Sequence, residues 1–470
     1  MKRHRDTFSS RAAAIMAMAG SAIGLGNIWR FPYMVGEHGG AAYILIYLLA
    51  TIFLSLPIFL SESIIGRRTQ LGTFGAFEKL APGTPWKYMG FVTICSALII
   101  LSFYSVVGGW SIDYLFKSLS LRFSGVEPSS VPALFGALIS EPWVPVLCHT
   151  VFLGLTAIIV GFGVKNGIER FSSITLPLLF LLIVVIMVYS LSLPGAYSGV
   201  TYLVKPDFSK IDAAAVASAM GQSFFSLSLG VGTILTYSSH IRKEENLLTS
   251  GFSTAMSDVM FALLAGFAVM PAVFAAGIEP GAGPGLIFET LPYIFAQMGT
   301  TWPVVSAVVA ILFFLTILVA ALTSSISMLE TGVTYLEEQK GMGRWKAVAI
   351  LFAMTWTLGM LCSLSFGPLS DVKLLGNSIF EFCDKLTANF LMTAGGFMFT
   401  IFAGWKMSRS DIRDELTSGA ADGASAGTSS DASVSASRRL TARLFPLLYF
   451  LIRYIAPLVI ITIFITNLVL

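Results

Sequence analysis

Long apolar stretches, separated by short polar segments, follow one another along nearly the whole chain. A membrane-spanning helix needs about 20 predominantly apolar residues, and eleven stretches meet that length. They lie near residues 12–35, 41–66, 88–118, 143–162, 167–192, 213–240, 248–277, 300–337, 345–366, 376–405 and 441–469. The pattern predicts an all-α integral membrane protein with about eleven transmembrane helices.

Composition excludes a soluble globular protein. Of the 470 residues, 55% are hydrophobic and only 12% are charged, and the mean hydropathy is +0.80. Soluble domains carry about twice that share of charged residues. The net charge of +3 says little about partners. We therefore expect the lipid bilayer as a partner and no nucleic acid, while the oligomeric state stays open.

Lysine and arginine divide unevenly between the two sides of the predicted spans. With a cytoplasmic N-terminus, roughly four times as many of them lie on the cytoplasmic side as outside, which is the bias that sets orientation. An odd number of spans then places the C-terminus outside. The short termini and eleven spans are typical of a bacterial protein, so we expect the bacterial inner (plasma) membrane.

The predicted spans divide into a ten-helix core, a linker and a last helix. The core covers residues 1–405. The segment after it is rich in Ser, Ala, Gly and Asp, and such a composition buries too little apolar surface to offset the entropy of ordering. We expect a flexible cytoplasmic linker over 406–440 and a peripheral eleventh transmembrane helix over 441–470.

Two of the spans are interrupted by clusters of glycine and small polar residues, at 20–27 and at 226–233. Glycine costs about 1 kcal/mol relative to alanine inside a helix. Unwound backbone at bilayer depth is tolerated where its freed groups line a cavity. Because the breaks fall in the first and sixth spans, they indicate an inverted repeat of two five-helix units, 12–192 and 213–405, with a binding site between the broken helices.

Three segments carry a resemblance to a known family. Residues 17–33 (AMAGSAIGLGNIWRFPY), 221–230 (GQSFFSLSLG) and 320–325 (AALTSS) resemble signatures of the sodium-coupled neurotransmitter symporter family, and in particular its bacterial amino-acid transporters. The order and spacing of the spans agree with that family over nearly the whole chain. The resemblance implies sodium-coupled symport of an amino acid by alternating access.

The resemblance also implies two sodium sites, built from the hard oxygen ligands that such a cation prefers. The first would use the substrate carboxylate together with Ala22, Asn27, Ser226 and Asp258. The second would use Gly20, Ile23, Ala320, Thr323 and Ser324. Packing of small residues between helices is the alternative for Thr323 and Ser324, whereas an acid and an amide at bilayer depth usually serve an ion or solute path.

Asp258 departs from the chloride-dependent animal members, which have asparagine here and bind chloride near the positions of Tyr47, Gln222 and Ser226. Some bacterial relatives carry a glutamate one helical turn later, where this chain has Ala262. Asp258 is therefore the fixed charge available to replace the anion. We expect chloride-independent transport, and protonation of Asp258 after sodium release would support proton counter-transport.

The substrate class follows from the resemblance and from the uncharged pocket that it implies. Monoamine carriers have an aspartate at the position of Gly24, whereas glycine leaves room for a substrate carboxylate. A neutral L-amino acid, hydrophobic or aromatic, is therefore expected. The predicted substrate-binding residues are Ser21, Ala22, Leu25, Gly26, Ile100, Tyr104, Phe225, Ser226, Ser228, Val231, Ser325 and Met328.

Two charged pairs are predicted to act as gates. By resemblance, Arg30 and Asp384 would form the outer gate, with Glu381 as a rival partner for Arg30. Arg5 and Glu338 would form the inner one. The chain departs from the family near this inner pair, since it has phenylalanine at position 8 and histidine at position 240 where tryptophan and tyrosine are usual.

Two other functional classes compete with a transporter. An enzyme is disfavoured because no histidine or cysteine cluster, nucleophile elbow or phosphate loop appears. An amino-acid-binding membrane sensor or a gated channel of the same fold would resemble a symporter in sequence. Accumulation of the solute against its gradient distinguishes the symporter from both.

Overall fold

Helices account for almost all of the ordered secondary structure, because backbone groups at bilayer depth must pair within the chain. The computed structural model describes residues 7–123, 127–278, 286–418 and 431–469. Its helices are α1 (Arg11–Ala22), α2 (Gly26–Glu37), α3 (Ala41–Thr69), α4 (Thr73–Leu80), α5 (Trp86–Leu119), α6 (Pro128–Ser140), α7 (Trp143–Gly161), α8 (Val164–Leu191), α9 (Ala196–Val204), α10 (Ala213–Ser226), α11 (Thr233–Ser238), α12 (Leu247–Ala275), α13 (Thr290–Gly299), α14 (Pro303–Lys340), α15 (Arg344–Leu364), α16 (Ile379–Lys406), α17 (Arg409–Ser418) and α18 (Arg439–Thr466, within a helix over 431–469).

Ten of the predicted spans correspond to helices that are long and apolar enough to cross a membrane. In the described residues nine single helices meet that criterion, and the bent pair α1 and α2 makes a tenth. The predicted sixth span is present as α10 and α11, each too short to span alone. The prediction of an all-helical membrane protein with a broken first helix is confirmed.

The first break lies between α1 and α2, whose axes differ by 54°. Ile23 leaves helical geometry with ψ of 108°, so the chain changes direction directly after Ala22. The side-chain oxygen of Asn27 accepts a hydrogen bond from Gly24 N at 3.0 Å. An amide side chain therefore replaces part of the interrupted helical hydrogen bonding.

The sixth-span break covers residues 227–232, where Ser228, Gly230 and Gly232 all have positive φ. Gly230 has φ of +81°, and a side chain there would collide with the backbone of Met392. Glu62 on α3 holds this segment, because its Oε1 accepts from Gly230 N at 2.7 Å. This hydrogen bond joins α3 to the unwound segment of the sixth span.

The helices differ in how much of each lies inside the protein. The apolar part of α5 is 72% buried and those of α3 and α12 are 67% buried, whereas the value is 39% for α8, α15 and α18. The long α5 thus lies at the centre and packs against α14. Residues of both breaks line one cavity together with Ile100 and Tyr104 of α5, so the unwound segments lie in the protein interior.

The predicted flexible linker over 406–440 needs a correction in its first part. Residues 409–418 form α17, and Glu415 on this helix accepts a hydrogen bond from Arg67 Nε at 2.8 Å. The side chain of Arg67 is fully buried, so a buried carboxylate is required beside it. Residues 419–430 lie outside the described residues. The short helices α4, α6, α9 and α17 have no counterpart in the sequence prediction.

Candidate ion and solute sites

A buried cluster of polar side chains surrounds Asp258 on α12. The Asp258 carboxylate accepts hydrogen bonds from Asn27 Nδ2 at 2.7 Å, from Ser226 Oγ at 2.8 Å and from Tyr47 Oη at 3.2 Å. Asn27, Tyr47 and Asp258 are completely buried and Ser226 is 1% exposed. Three of the four predicted ligands of the first sodium site are therefore in direct contact.

The charge of Asp258 has no positive counterpart nearby. All three hydrogen-bond partners are neutral, and no basic side chain of the described chain pairs with this carboxylate. A buried carboxylate without a cation is strongly unfavourable. The Asn27 amide directs its nitrogen to Asp258 and its oxygen to Gly24 N. To serve as a cation ligand, this amide must rotate so that its oxygen replaces its nitrogen.

A second cluster connects the end of α1 to the middle of α14. Thr323 Oγ1 lies 3.1 Å from the Ile23 carbonyl oxygen and 2.8 Å from the Ala320 carbonyl oxygen. Ser324 Oγ lies 3.4 Å from the Ile23 carbonyl oxygen. A Cβ atom added to Gly20 would lie 3.5 Å from Thr323 Cβ. The structure thus brings all five predicted residues of the second site together, and their oxygens are all uncharged.

Both clusters border one small internal cavity of about 30 Å³. Its walls carry no charged side chain. Ten of the twelve predicted substrate-binding residues line it, including Ala22, the remaining predicted ligand of the first ion site. The cavity is lined by Ala22, Gly24, Leu25, Gly26, Ile100, Tyr104, Phe225, Ser226, Ser228, Val231, Ser324, Met328 and Met392.

Two predicted pocket residues, Ser21 and Ser325, do not line this cavity. The hydroxyl of Ser325 lies 2.7 Å from Thr156 Oγ1 on α7, because one residue step turns a helix by about 100°. The hydroxyl of Ser21 donates to Ser327 Oγ at 2.8 Å. The sequence prediction in turn missed Met392, which reaches the cavity from α16 without a local sequence signal.

A larger cavity of about 430 Å³ lies on the other side of Tyr104 and Phe225. These two aromatic side chains line both cavities, so they lie at the boundary between them. Arg30 and Asp384 both line the larger cavity. They make no direct ion pair, and the Arg30 guanidinium lies 4.9 Å from the centre of the Phe225 ring. Their pairing as an outer gate stays a prediction.

The rival partner of Arg30 is occupied within its own helix. Glu381 lines the larger cavity, but its carboxylate accepts from Ser378 N at 2.9 Å and completes a capping box at the start of α16. A capping box satisfies two helix-end donors reciprocally. Of the two acids, Asp384 is therefore the one without a capping role.

At the opposite end of the protein, the predicted inner gate is placed only in part. The Glu338 carboxylate accepts a hydrogen bond from Gly72 N at 2.9 Å, which ties α14 to the segment before α4. Arg5 lies outside the described residues. Phe8 packs edge-on against His240, with ring centres 6.2 Å apart, and Phe8 N donates to the His240 carbonyl oxygen at 3.1 Å. The two departures from the family pattern therefore contact each other.

Comparison with known proteins decides the family. Residues 5–127 and 142–421 match the sodium:neurotransmitter symporter family. The chain belongs to this family. Its members are membrane transporters, so the prediction of a transporter rather than an enzyme is confirmed, as is the resemblance derived from the three sequence segments.

Similar members of the sodium:neurotransmitter symporter family come from bacteria. The chain is 39% identical to the uncharacterized sodium-dependent transporter YhdH of Bacillus subtilis, over 88% of this chain and 90% of that protein. It is 36% identical to an uncharacterized sodium-dependent transporter of Haemophilus influenzae, over 88% and 92% of the two chains. The similarity therefore covers the core with both clusters.

A solved structure shares the fold over the full length. The crystal structure of MhsT in complex with L-phenylalanine superimposes with a TM-score of 0.86 and 37% sequence identity, covering 99% of this chain and all of that one. The agreement extends to the last helix. It establishes the architecture in which the two clusters and the cavity lie.

Proposed function

We propose that this protein is a sodium-coupled symporter that imports a neutral, hydrophobic or aromatic L-amino acid without chloride. The observation that carries the proposal is the buried Asp258 carboxylate, which has only neutral partners. A fixed negative charge in the protein interior favours a site for a small cation. Membership in the sodium:neurotransmitter symporter family and the names of the bacterial relatives support sodium as that cation.

The first sodium ion would bind between Asp258, Asn27, Ser226 and the Ala22 carbonyl. Rotation of the Asn27 amide would turn a donor into an oxygen ligand. The hydroxyl of Ser226 can offer a lone pair to the cation while its proton stays directed at Asp258. Because Ala22 and Ser226 also line the internal cavity, the bound solute lies next to this ion. The solute then raises the affinity of the site for sodium, and sodium raises the affinity for the solute. This reciprocal effect is what couples their transport.

The second ion would bind to the carbonyl groups of Ile23 and Ala320 and to the hydroxyls of Thr323 and Ser324. These groups belong to α1 and α14, so an ion there holds the two helices together. Ser324 also borders the internal cavity. Loss of this ion would permit α1 and α14 to separate, which is the movement needed to release solute on the cytoplasmic side.

The cavity supports an uncharged side chain as the substrate group. Its walls are apolar or hydroxyl-bearing, and a charged substrate side chain would be left unpaired there. The volume of about 30 Å³ is far below the roughly 300 to 1,000 Å³ of ligand pockets, so substrate entry requires rearrangement of the walls. Met328, Met392 and Phe225 are suited to this, since methionine adapts its shape readily. The L-phenylalanine bound to MhsT supports a bulky substrate.

The engagement of the donors around Asp258 supports independence from chloride. Tyr47 and Ser226 already donate to the Asp258 carboxylate. Gln222 donates to the Gly26 carbonyl oxygen at 3.0 Å. An additional anion would find these donors engaged and would face the charge of Asp258 at short range. The carboxylate therefore takes the place that chloride has in other members.

Uptake into proteoliposomes tests the proposal. A panel of labelled neutral L-amino acids would be offered under an inward sodium gradient, with chloride replaced by gluconate inside and outside. We expect sodium-driven accumulation above the external concentration, with hydrophobic and aromatic amino acids the best substrates. Binding without accumulation would indicate a sensor, dissipative flux would indicate a channel, and a requirement for chloride would contradict the role of Asp258.

The excess of basic residues on one side predicts that the N-terminus lies in the cytoplasm.

A further inference from the structure

A buried carboxylate holds the segment that leads into α1. Glu169 is 9% exposed. Its Oε2 accepts a hydrogen bond from Ser9 N at 2.9 Å, and its Oε1 accepts one from Ser9 Oγ. In the described chain no lysine or arginine forms an ion pair with it, so residue 9 supplies both donors of this nearly buried charge. We call this contact the Ser9–Glu169 clamp.

The clamp lies at the N-terminus of α1. Ser10 is the N-cap of that helix, and its Oγ accepts from Ala13 N at 3.2 Å. A carboxylate at this end of a helix is favoured by the positive end of the helix dipole. Phe8, on the other side of residue 9, is 1% exposed and anchored in the core. The clamp therefore fixes where the chain enters α1.

The position of the carboxylate depends on the first turn of α8. Residues 164–169 form a π-helical turn at the start of that helix, directly after Gly163, whose φ is +89°. A π turn adds a residue to a helical turn, and the same geometry occurs in α2, α3, α16 and α18. Because Glu169 is the last residue of this turn, rewinding the turn to α-helical geometry would rotate its side chain away from Ser9.

The other end of α1 contacts the same helix close to the second ion cluster. A Cβ atom on Gly20 would lie 3.6 Å from Ser172 Oγ of α8 and 3.5 Å from Thr323 Cβ of α14. The helix α1 is thus held against α8 from the clamp to the ion cluster. Separation of α1 from α8 would expose the cluster to the side on which residue 9 lies.

We propose that Glu169 is a positioning residue for transport, because its grip on residue 9 keeps α1 packed against α8. Release of the Ser9–Glu169 clamp permits α1 to separate and opens the path from the Thr323 cluster on that side. The inference rests on the proposed function, since it assigns this movement to the release of the second ion and the solute. It adds a control point that lies outside both predicted gates.

Chemical labelling of single cysteines tests the clamp. Cys95, Cys148, Cys362 and Cys383 would be replaced, and one cysteine would be introduced in each of two proteins, by Ser172→Cys beside α1 or by Asn389→Cys in the larger cavity. The rate of modification by a small methanethiosulfonate reagent would be measured in the purified, lipid-reconstituted protein. Each background would then receive Glu169→Ala, Glu169→Gln or Ser9→Ala.

We expect Glu169→Ala to raise the labelling rate at position 172 by about tenfold and to lower it at position 389. Ser9→Ala removes one of the two donors and should raise labelling at 172 about threefold, with Glu169→Gln between the two. If Glu169→Ala does not fold, Ser9→Ala alone provides the test. Glu127→Ala is the matched control, because Glu127 accepts a similar bond from Ser129 Oγ at 2.9 Å at the exposed start of α6.

Unchanged labelling at position 172 would overturn the proposal, and so would a rise at both positions, which indicates a loosened fold. Labelling does not require transport. If sodium-driven uptake fails in the native protein while the labelling changes occur, the proposed function is wrong and the role of the clamp is supported. If uptake is found and labelling at position 172 is unaffected, the role of the clamp is wrong and the proposed function is supported.

Discussion

The two predicted ion sites differ in charge although both are built at the same helix break. The cluster around Asp258 contains a fixed negative charge, and its partners come from α2, α3 and α10. The cluster around Thr323 contains only carbonyl and hydroxyl oxygens from α1 and α14. One site is therefore electrostatically strong, and the other depends on geometry.

This difference in charge indicates that the two sites have different roles in transport. A buried charge attracts a cation in any arrangement of the helices that keeps the charge dry. Neutral oxygens bind a cation only while they lie close together. Cation binding at the Thr323 cluster therefore depends on α1 and α14 being close to each other. We therefore expect the Asp258 site to set affinity and chloride independence, and the Thr323 site to respond to the state of the inner path.

The largest effect is expected from Asp258→Asn. Losing the charge partner of a buried ion costs about 3 to 5 kcal/mol, so sodium-driven uptake in gluconate medium should fall by more than 100-fold. Chloride should restore part of it, because Tyr47 and Ser226 become free to donate to an anion. Uptake would be compared in chloride and gluconate media. Near-normal uptake in gluconate would contradict the argument, and Asp207→Asn, at an exposed aspartate, serves as the control.

Gly24→Ala should reduce solute binding without affecting the overall fold. A Cβ atom here would lie 2.9 Å from Tyr104 Oη and would collide with Ser324 Oγ. Overpacking of this kind costs about 1 to 3 kcal/mol, so amino-acid affinity should fall about tenfold or more. Equilibrium binding of labelled amino acid at saturating sodium measures it, alongside Gly221→Ala, where an added Cβ meets open space. Equal affinities in the two variants would show that the cavity is not the binding site.

Thr323→Ala should weaken sodium binding more modestly. Removing one neutral oxygen ligand costs about 1 kcal/mol, so the sodium concentration for half-maximal uptake should rise about fivefold with no change in chloride dependence. Thr316→Ala is the control, because the Thr316 hydroxyl bonds only to the Leu312 carbonyl oxygen of its own helix. A similar sodium dependence for both variants would favour simple helix packing at Thr323.

The smallest effect is expected from Ser325→Ala. Its hydroxyl contacts Thr156 and the Leu322 carbonyl oxygen rather than the cavity, so amino-acid affinity should change less than twofold. The neighbouring Ser324→Ala should shift sodium dependence about fivefold. Measuring both parameters for the two adjacent serines compares the faces of α14 directly. A loss of amino-acid affinity in Ser325→Ala would show that Ser325 belongs to the substrate-binding residues.

Local chemistry made much of this architecture predictable. The glycine clusters at 20–26 and 230–232 predicted both helix breaks, since glycine destabilises a helix wherever it occurs. Asp258 stood out because a carboxylate at bilayer depth is costly in any membrane protein. The ligand sets came from the family resemblance, and the structure places nearly all of those residues in two clusters and one cavity.

Rotation about the helix axes could not be predicted at the level of single side chains. Ser324 and Ser325 are adjacent in sequence, and only the packing of α14 between α5 and α7 decides that one faces the cavity and the other faces Thr156. Met392 enters the cavity from α16 and lies 167 residues after Phe225, the first cavity-lining residue of α10. Such contacts leave no pattern in the local sequence.

The sequence by itself determined that the protein lies in a lipid bilayer, that it is all-helical and where its two helices are broken. These features follow from free-energy costs that each residue type has in any fold. The tertiary structure alone decided that Glu415 on α17 satisfies the buried Arg67 and that Glu169 holds residue 9. Those outcomes depend on which groups meet across helices distant in sequence. Pairing at a distance is set by packing of the whole core rather than by local propensity.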